Sequence, residues 1–214
     1  MHPPDPASLP LALNPVGLPP GAVLPAPFTD LAIIQARAEA ARAPPGACLS
    51  QLVFLWSPDI SAGGEAWPEG SLRWLPAGAT GELRATGPLP AEGGGLVCGL
   101  TSVSAPAVGG VWAANEVPRV IAPGIDLRLL AGTGFSREAA LLGSSACALA
   151  VCRLARRMRF EFRAEYPQRA LYVVTGTVML EGESLGDGTL QLISGAKSCF
   201  IDALEPSVLV LLAG

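Results

Sequence analysis

The carboxy-terminal stretch RALYVVTGTVMLEGESLGDGTLQLISGAKSCFIDALEPSVLVLLAG limits the possible folds more than any other part of the chain. Short runs of branched and apolar residues alternate there with glycine-bearing turns, of which Gly176 and Gly182 are the first two. Several such runs at intervals of about 8–12 residues are typical of β-sandwiches and β-barrels. The stretch therefore predicts an all-β unit.

The preceding sequence has the same character. The segments CLSQLVFLW, SLRWLPAG, GGGLVCGLTSVSA and IDLRLLAG each predict a strand that ends near a turn signal. The segment MRFEFRAEY alternates apolar and polar residues, as half-buried strands do. The layout shared by EGSLRWLPAG and DGTLQLISGA suggests that one unit occurs twice.

Two segments are ambiguous when read from the residues alone. TDLAIIQARAEAARA is rich in alanine and Thr29 could cap a helix, but LAII could instead be a buried strand. SREAALLGSSACALAVCRLA is also rich in alanine, and Gly143 interrupts it. Both helix and strand stay open for these segments.

Residues 1–27 contain nine of the 21 prolines and predict an extended leader rather than a helix. No Lys or Arg precedes Arg37, so the basic region of a secretory signal is missing, and we expect a cytoplasmic protein. The charge-free runs Pro6–Thr29 and Gly93–Asn115 are broken by proline or glycine. A membrane helix needs about 20 helix-compatible apolar residues, so we predict no membrane span.

Charged residues make up 15% of the chain and hydrophobic residues 50%. A typical charged share is about 25%, so the chain either buries much of itself or exposes apolar surface that a partner covers. Oligomerisation is one way to cover it. The formal net charge of −4 argues against nucleic acid as a main partner.

Cysteine and histidine limit the possible chemistry. The chain has five cysteines with no CxxC pair, which predicts buried reduced thiols rather than a disulfide framework. The single histidine is His2, so a site built from two or three histidines is impossible. A Ser-His-Asp or Cys-His catalytic pair has no histidine available within the predicted strands.

Several of these segments resemble the pirin family. WPEGSLRWLPAG is similar to a family motif that it matches at Gly70, Trp74, Ala77 and Gly78, and LVCGLTSVSAP and FTDLAIIQ resemble two other family segments. The carboxy-terminal stretch is similar to the family's second barrel. The resemblance implies an all-β bicupin, two facing β-barrel or jelly-roll (cupin) domains. With the residue pattern it predicts a leader at 1–27 and domains at 28–106 and 107–214.

The resemblance also implies a metal site in the first barrel, where family members hold iron with three histidines and one glutamate. Some members are linked to quercetin 2,3-dioxygenase activity and others to transcriptional co-regulation. Matched residue by residue, the ligand positions fall on Leu83 and Ala85 and, in one register, on Cys48 and Ser50; another register places the first segment at Ala43-Pro44-Pro45. We therefore expect a degenerate site with no iron and no other cofactor.

Two further groups of residues are candidates for a site. Trp74, Glu82 and Cys98 could line a pocket in the first barrel, and a site made of Cys48, Cys98 and Glu82 would favour zinc, although a solvated Glu82 and buried thiols are the simpler interpretation. The second group could form an anion patch, or a solvated strand face with Glu161 and Glu165 as counter-charges. Its members are Arg153, Arg156, Arg157 and Arg159, with Arg163 nearby.

The sequence thus predicts a pirin-like cupin without a metal, non-catalytic, that binds a small ligand or a protein partner. One alternative is a quercetin 2,3-dioxygenase-like enzyme with an atypical site. Another is an interaction module buried in an oligomer. Family members continue beyond the final LVLLAG, so we expect an apolar surface there that the proline-rich leader could cover.

Overall fold

The structure is a computed structural model, and it describes residues 32–35, 50–57, 60–62, 65–76, 83–85, 94–100, 110–142, 147–163, 165–195 and 197–214. Every helix or strand assigned within these ranges is a β-strand. The prediction of an all-β fold is confirmed. The described residues also contain no helix of the length and apolarity that crossing a bilayer would require.

The first half of the described chain forms one five-stranded and one three-stranded antiparallel sheet, with strand orders β1-β7-β2-β5-β8 and β4-β3-β6. The last strand of the half, β8, follows the predicted boundary at 106/107 but pairs with β5. The boundary itself stays a prediction. The strands are β1 (Ala32–Gln35), β2 (Ser50–Leu55), β3 (Ile60–Ala62), β4 (Glu65–Ala66), β5 (Leu72–Leu75), β6 (Leu83–Ala85), β7 (Gly95–Leu100) and β8 (Gly110–Trp112).

The second half contains a seven-stranded sheet in the order β11-β10-β12-β19-β14-β17, with β9 also paired to β10, and a four-stranded sheet in the order β13-β18-β15-β16. Its strands are β9 (Arg119–Ala122), β10 (Ile125–Gly134), β11 (Arg137–Glu138), β12 (Ala148–Leu154), β13 (Arg159–Phe162), β14 (Gln168–Thr175), β15 (Val178–Leu180), β16 (Glu183–Leu185), β17 (Leu190–Ser194), β18 (Cys199–Ala203) and β19 (Ser207–Ala213).

The seven-stranded sheet is the middle layer of the molecule, which explains the unbroken apolar run of β19. All seven residues of this strand are buried. Val208 and Val210 face the five-stranded sheet, whereas Leu209 and Leu211 face the four-stranded sheet. A strand that is buried on both faces does not need the polar alternation of a half-buried strand.

The two ambiguous segments contain strands where the structure describes them. β1 pairs antiparallel with β7, and β12 lies between β10 and β19. Six of the seven residues of β12 are buried. The helix propensity of alanine is overridden there, because the segment can bury both of its faces only as a central strand.

Two hydrophobic cores follow from this layering, and in both of them the described cysteines are buried thiols, as the sequence predicted. The inter-half core lies between the five-stranded and seven-stranded sheets. It includes Leu52, Phe54, Leu72, Trp74, Cys98, Cys147, Leu149, Val151, Val174, Val208, Val210 and Leu212. The second-half core lies between the seven-stranded and four-stranded sheets. It includes Leu127, Leu129, Ala150, Cys152, Phe162, Leu171, Val173, Val178, Cys199, Ile201, Leu209 and Leu211.

Candidate functional site

The positions that resemble the family's metal ligands lie on strands of the first half. Leu83 and Ala85 are the two ends of β6, where they pair with Ala62 and Ile60 of β3. Ser50 begins β2 opposite Leu100. Cys48 and Glu82 lie outside the described residues.

The donor set at these positions does not fit iron. Leu83 and Ala85 carry hydrocarbon side chains, which have no atom that can coordinate a metal, and the chain's one histidine is His2. Within the described residues, no three His, Cys, Asp or Glu side chains are grouped as a metal site would require. The expectations of no metal and no other cofactor stay predictions, since Cys48 and Glu82 are not described.

Trp74 and Cys98 are neighbours in the inter-half core. Each lies directly opposite Leu52 across an antiparallel pair, so the three side chains share one face of the five-stranded sheet. Trp74 is 1% exposed and Cys98 is 0% exposed. Both therefore occupy packed core rather than the edge of an opening, and the pocket that would include Glu82 stays a prediction.

The Cys98 thiol is a poor ligand in this location. Burial raises the pKa of Cys98 well above its ordinary value, because a thiolate would lose its solvation there. The thiolate is the form that binds metals and attacks electrophiles. A protonated thiol next to Leu52 is a small apolar core residue.

Charged residues from both halves meet beside the inter-half core in a group that we call the seam cluster: Glu69, Arg119, Asp126, Arg128 and Arg153. Arg119 makes a two-bond pair with Asp126 at 2.6 and 2.9 Å. Arg153 Nη1 lies 3.6 Å from Glu69 Oε1, which joins β12 to the turn before β5. Glu69 is distant in sequence from the other four, and of the five only Arg153 was a predicted site residue.

Gly70, a residue of the family-like motif, makes room for the seam cluster. Its φ is +83°, and a Cβ there would lie 3.0 Å from Ala114 Cβ and 3.3 Å from Arg128 Nη2. Arg128 in turn donates from Nη1 to Ala114 O at 2.7 Å. Burial lowers the pKa of Arg128. The glycine of this motif thus has a packing role between the two halves.

The four arginines of the predicted anion patch have different partners. Arg153 is in the seam cluster, and Arg159 makes a two-bond pair with Asp202 at 2.6 and 2.9 Å. Arg156 donates from Nε to Leu204 O at 3.2 Å. Arg157 lies in the turn after β12 with a φ of +66°. The strands that carry Arg153 and Arg159 belong to different sheets, and the shared anion patch stays a prediction.

Arg169 on β14 is a buried cation that the sequence analysis missed. Only 1% of it is exposed, and within the described part of the chain its guanidinium donates to backbone carbonyls and a thiol. The acceptors are Phe162 O at 2.7 Å, Arg163 O at 3.3 Å, Cys199 Sγ at 3.9 Å, Gly195 O at 3.2 Å and Lys197 O at 2.7 Å. We call this arrangement the carbonyl cage. It joins three separate segments at one end of the second-half core.

The interior of the second half is filled with side chains. The facing sheets contribute Ala150, Leu171, Val173, Ile201 and Leu209 to the second-half core, each 0% exposed. Such dense apolar packing leaves no room for a ligand between these residues. These residues are therefore packed core and do not line a ligand cavity.

Comparison with known proteins agrees with this architecture. No protein-family model matches the sequence. A pirin-like protein of Caulobacter vibrioides is 28% identical over 99 residues, which are 46% of this chain and 34% of that protein. The chain thus matches about a third of this relative's length.

Solved structures share the fold at lower identity. Quercetin 2,3-dioxygenase from Acinetobacter baumannii superposes with a TM-score of 0.63 at 16% identity, over 87% of this chain and 72% of that chain. YhhW from Escherichia coli superposes with a TM-score of 0.51 at 12% identity, over 85% and 77%. These likenesses establish the cupin fold.

Proposed function

We propose, from the premise that this chain is a cupin-fold relative of the pirin-like proteins, that it is a binding protein without turnover. It holds a small ligand or a protein partner and does not use the iron that the resemblance implies. One observation carries the proposal: the ligand-like positions on β6 are Leu83 and Ala85, and the chain has no histidine after His2.

The chemistry of oxygen activation supports this proposal. Non-haem iron oxygenases hold the metal with imidazole and carboxylate ligands and keep positions open for oxygen and substrate. The hydrocarbon side chains of Leu83 and Ala85 supply neither group. Burial in the inter-half core raises the pKa of Cys98, which disfavours the thiolate that would have to replace an imidazole ligand.

The location of apolar surface supports a binding role as well. Val111 on β8 and Ile121 on β9 are each 65% exposed, although both are large and apolar. Exposed apolar residues on edge strands are frequent where another chain adds on. Light scattering after size exclusion would measure this: a concentration-dependent increase in mass that Val111→Asp abolishes favours a second copy of this chain as the partner.

The proposal is tested by metal content together with quercetin turnover. Protein purified from iron-supplemented medium should contain far less than one metal per chain by plasma mass spectrometry, and should consume no oxygen with quercetin. Cys98→Ala and Glu82→Ala should leave both results unchanged. Stoichiometric iron that resists a chelator, with quercetin-dependent oxygen uptake, would instead establish the quercetin 2,3-dioxygenase-like alternative.

A further inference from the structure

A surface groove of about 410 Å³ lies at the end of the second half, between β9, the β10–β11 turn and β13. Its floor is apolar and consists of Val120, Ile125, Phe135 and Phe160, all of which pack against the second-half core while staying partly exposed. Small-molecule sites are concave, mostly apolar and of about this volume. The groove has the dimensions of a ligand site.

The floor includes a backbone conformation that the sequence would normally avoid. Phe135 and Ser136 form the β10–β11 turn with φ values of 54° and 58°. Hairpin turns of this kind favour Asn-Gly, because a bulky side chain at positive φ is strained. The strained turn nevertheless carries a phenylalanine, and such strain is concentrated at functional sites.

The phenylalanine ring is held in place by other rings. The Phe135 centroid lies 6.1 Å from that of Phe160 and 6.2 Å from that of Phe162. The Phe162 ring has Arg169 of the carbonyl cage at 5.5 Å. The groove floor is therefore an aromatic surface whose Phe135 ring already packs against Phe162 of the second-half core.

Three arginines line this groove, and they differ in whether a carboxylate lies close to the guanidinium. Arg159 is paired with Asp202, and Arg163 Nε lies 3.7 Å from Glu161 Oε2. The side chain of Arg137, on β11, has no ion-pair or hydrogen-bond partner among the residues that the structure describes. One guanidinium at the rim is thus available to a ligand.

We propose that this groove binds a small planar aromatic carboxylate, with its ring against Phe135 and Phe160 and its carboxylate paired to Arg137. A guanidinium and a carboxylate can form two parallel hydrogen bonds, and offset aromatic contacts add to the apolar burial. The inference rests on the proposed function, since it names a ligand for a binding protein, but it concerns a different part of the molecule from β6.

The test uses naphthoate as the probe, with two matched compounds. Naphthalenemethanol keeps the rings without the charge, and cyclohexanecarboxylate keeps the charge without the aromatic system. In isothermal titration calorimetry, naphthoate should bind with a stoichiometry of one, and each matched compound should bind about tenfold more weakly. Added salt should weaken naphthoate binding.

Variants locate the binding. Arg137→Ala should weaken naphthoate binding about tenfold, and Arg137→Lys should recover part of the loss, because lysine keeps the charge without the planar fork. Phe160→Leu should weaken binding about fivefold while retaining apolar volume. The matched control is Arg156→Ala, which removes an arginine outside the groove and should bind like the parent chain.

The proposal is overturned if naphthoate shows no saturable binding at millimolar concentration, or if Arg137→Ala and Phe160→Leu both bind as the parent chain does. Circular dichroism of each variant confirms that the fold is retained. The result is separate from the metal measurement: groove binding by an iron-loaded chain would contradict the proposed function alone, and a metal-free chain without groove binding would contradict this inference alone.

Discussion

The two halves of the molecule bury their sheets differently. The five-stranded sheet of the first half directs Leu52, Phe54 and Trp74 toward the second half, so this face depends on its neighbour for burial. The seven-stranded sheet of the second half is covered on both faces, by the inter-half core and by the second-half core. The second half thus contains a core of its own and also completes that of the first.

The polar side chains that could form a site are also distributed unequally between the two halves of the described chain. Of the ligand-like positions of the first half, Leu83 and Ala85 are hydrocarbon residues and Ser50 carries a hydroxyl. The second half contains the carbonyl cage around Arg169 and the groove, where the Arg137 side chain has no partner among the described residues. The metal site that the resemblance implies belongs to the first half, whereas the buried cation and the groove lie in the second half.

The largest expected effect comes from the carbonyl cage. Arg169→Ala removes the donor from four backbone carbonyls, of which that of Phe162 is buried and those of Arg163, Gly195 and Lys197 are part-buried. Unsatisfied buried acceptors cost about 1–3 kcal/mol each, so we expect a loss of about 5 kcal/mol in the free energy of unfolding, measured in urea. The control Arg156→Ala, at an exposed single bond, should change it by less than about 0.5 kcal/mol.

A loss at Arg169 no larger than that at Arg156 would contradict the structural role of the cage. Arg169→Lys makes the comparison sharper. Lysine retains the positive charge, but its ammonium cannot donate to carbonyls on two sides as the planar guanidinium does. Arg169→Lys should therefore recover only a minor part of the lost unfolding free energy. Full recovery would mean that the charge, rather than the bond geometry, holds these segments together.

The next largest effect tests whether Trp74 is core. Trp74→Ala should cost about 4 kcal/mol of unfolding free energy, as large-to-small changes of buried aromatics do. Trp74→Phe should cost about 1 kcal/mol, because the indole Nε1 has no hydrogen-bond partner among the described residues and no bond is lost with it. Urea unfolding measures both. Near-equal stability of Trp74→Ala and the parent chain would instead favour the predicted pocket.

Two turn glycines with the same backbone conformation offer an internal comparison. Gly176 and Gly182 have φ values of 92° and 91°. A Cβ on Gly176 would lie 2.4 Å from Pro206 O, whereas a Cβ on Gly182 has nothing within 4 Å. Gly182→Ala should therefore cost about 1 kcal/mol from the backbone alone, and Gly176→Ala about 3 kcal/mol.

Thermal unfolding at matched protein concentrations measures how much stability each of the two glycine variants loses. Equal losses would mean that the β14–β15 turn moves to accept the methyl group. A larger loss at Gly182 than at Gly176 would contradict the packing of Pro206 against this turn.

The strands could be predicted because their signals are local. β14, β15 and β17 follow runs of apolar residues with glycines in the turns after them, and these runs need no knowledge of the partner strand. The strand β12 could not be decided in this way. Its alanines favour a helix until β10 and β19 bury both of its faces, and that burial is a property of the assembled sheet.

The sequence limits which side chains a site can use, but the contacts around the second-half residues depend on the fold. A count of histidines was enough to predict that an imidazole-based metal site is absent. The carbonyl cage uses backbone oxygens of Phe162, Gly195 and Lys197, which any sequence supplies and only the fold brings together. Likewise, Arg153 and Arg159 are close in sequence, but they lie on strands of different sheets.

The smallest effect concerns an exposed ion pair on the four-stranded sheet. The hydrogen bonds from Arg159 lower the pKa of Asp202 below its ordinary value. A carboxylate whose pKa is lower in the folded state stabilises the fold above the unfolded pKa, which is about 3.9. That contribution is lost as the pH falls through the folded pKa. The side chains of Arg159 and Asp202 are 65% and 35% exposed, so solvent screening keeps the contribution small.

Melting curves of the parent chain and Asp202→Asn between about pH 3 and pH 7 measure this contribution. The parent chain should be slightly more stable at neutral pH, and the two curves should converge as the pH falls below about 4, because protonated Asp202 resembles the amide. Added salt should reduce the difference at neutral pH. A stability difference between the parent chain and Asp202→Asn that grows as the pH falls would contradict the lowered pKa of Asp202. A difference that exceeds the effect of Gly176→Ala would mean that this exposed pair holds β13 to β18 more strongly than buried packing holds the β14–β15 turn.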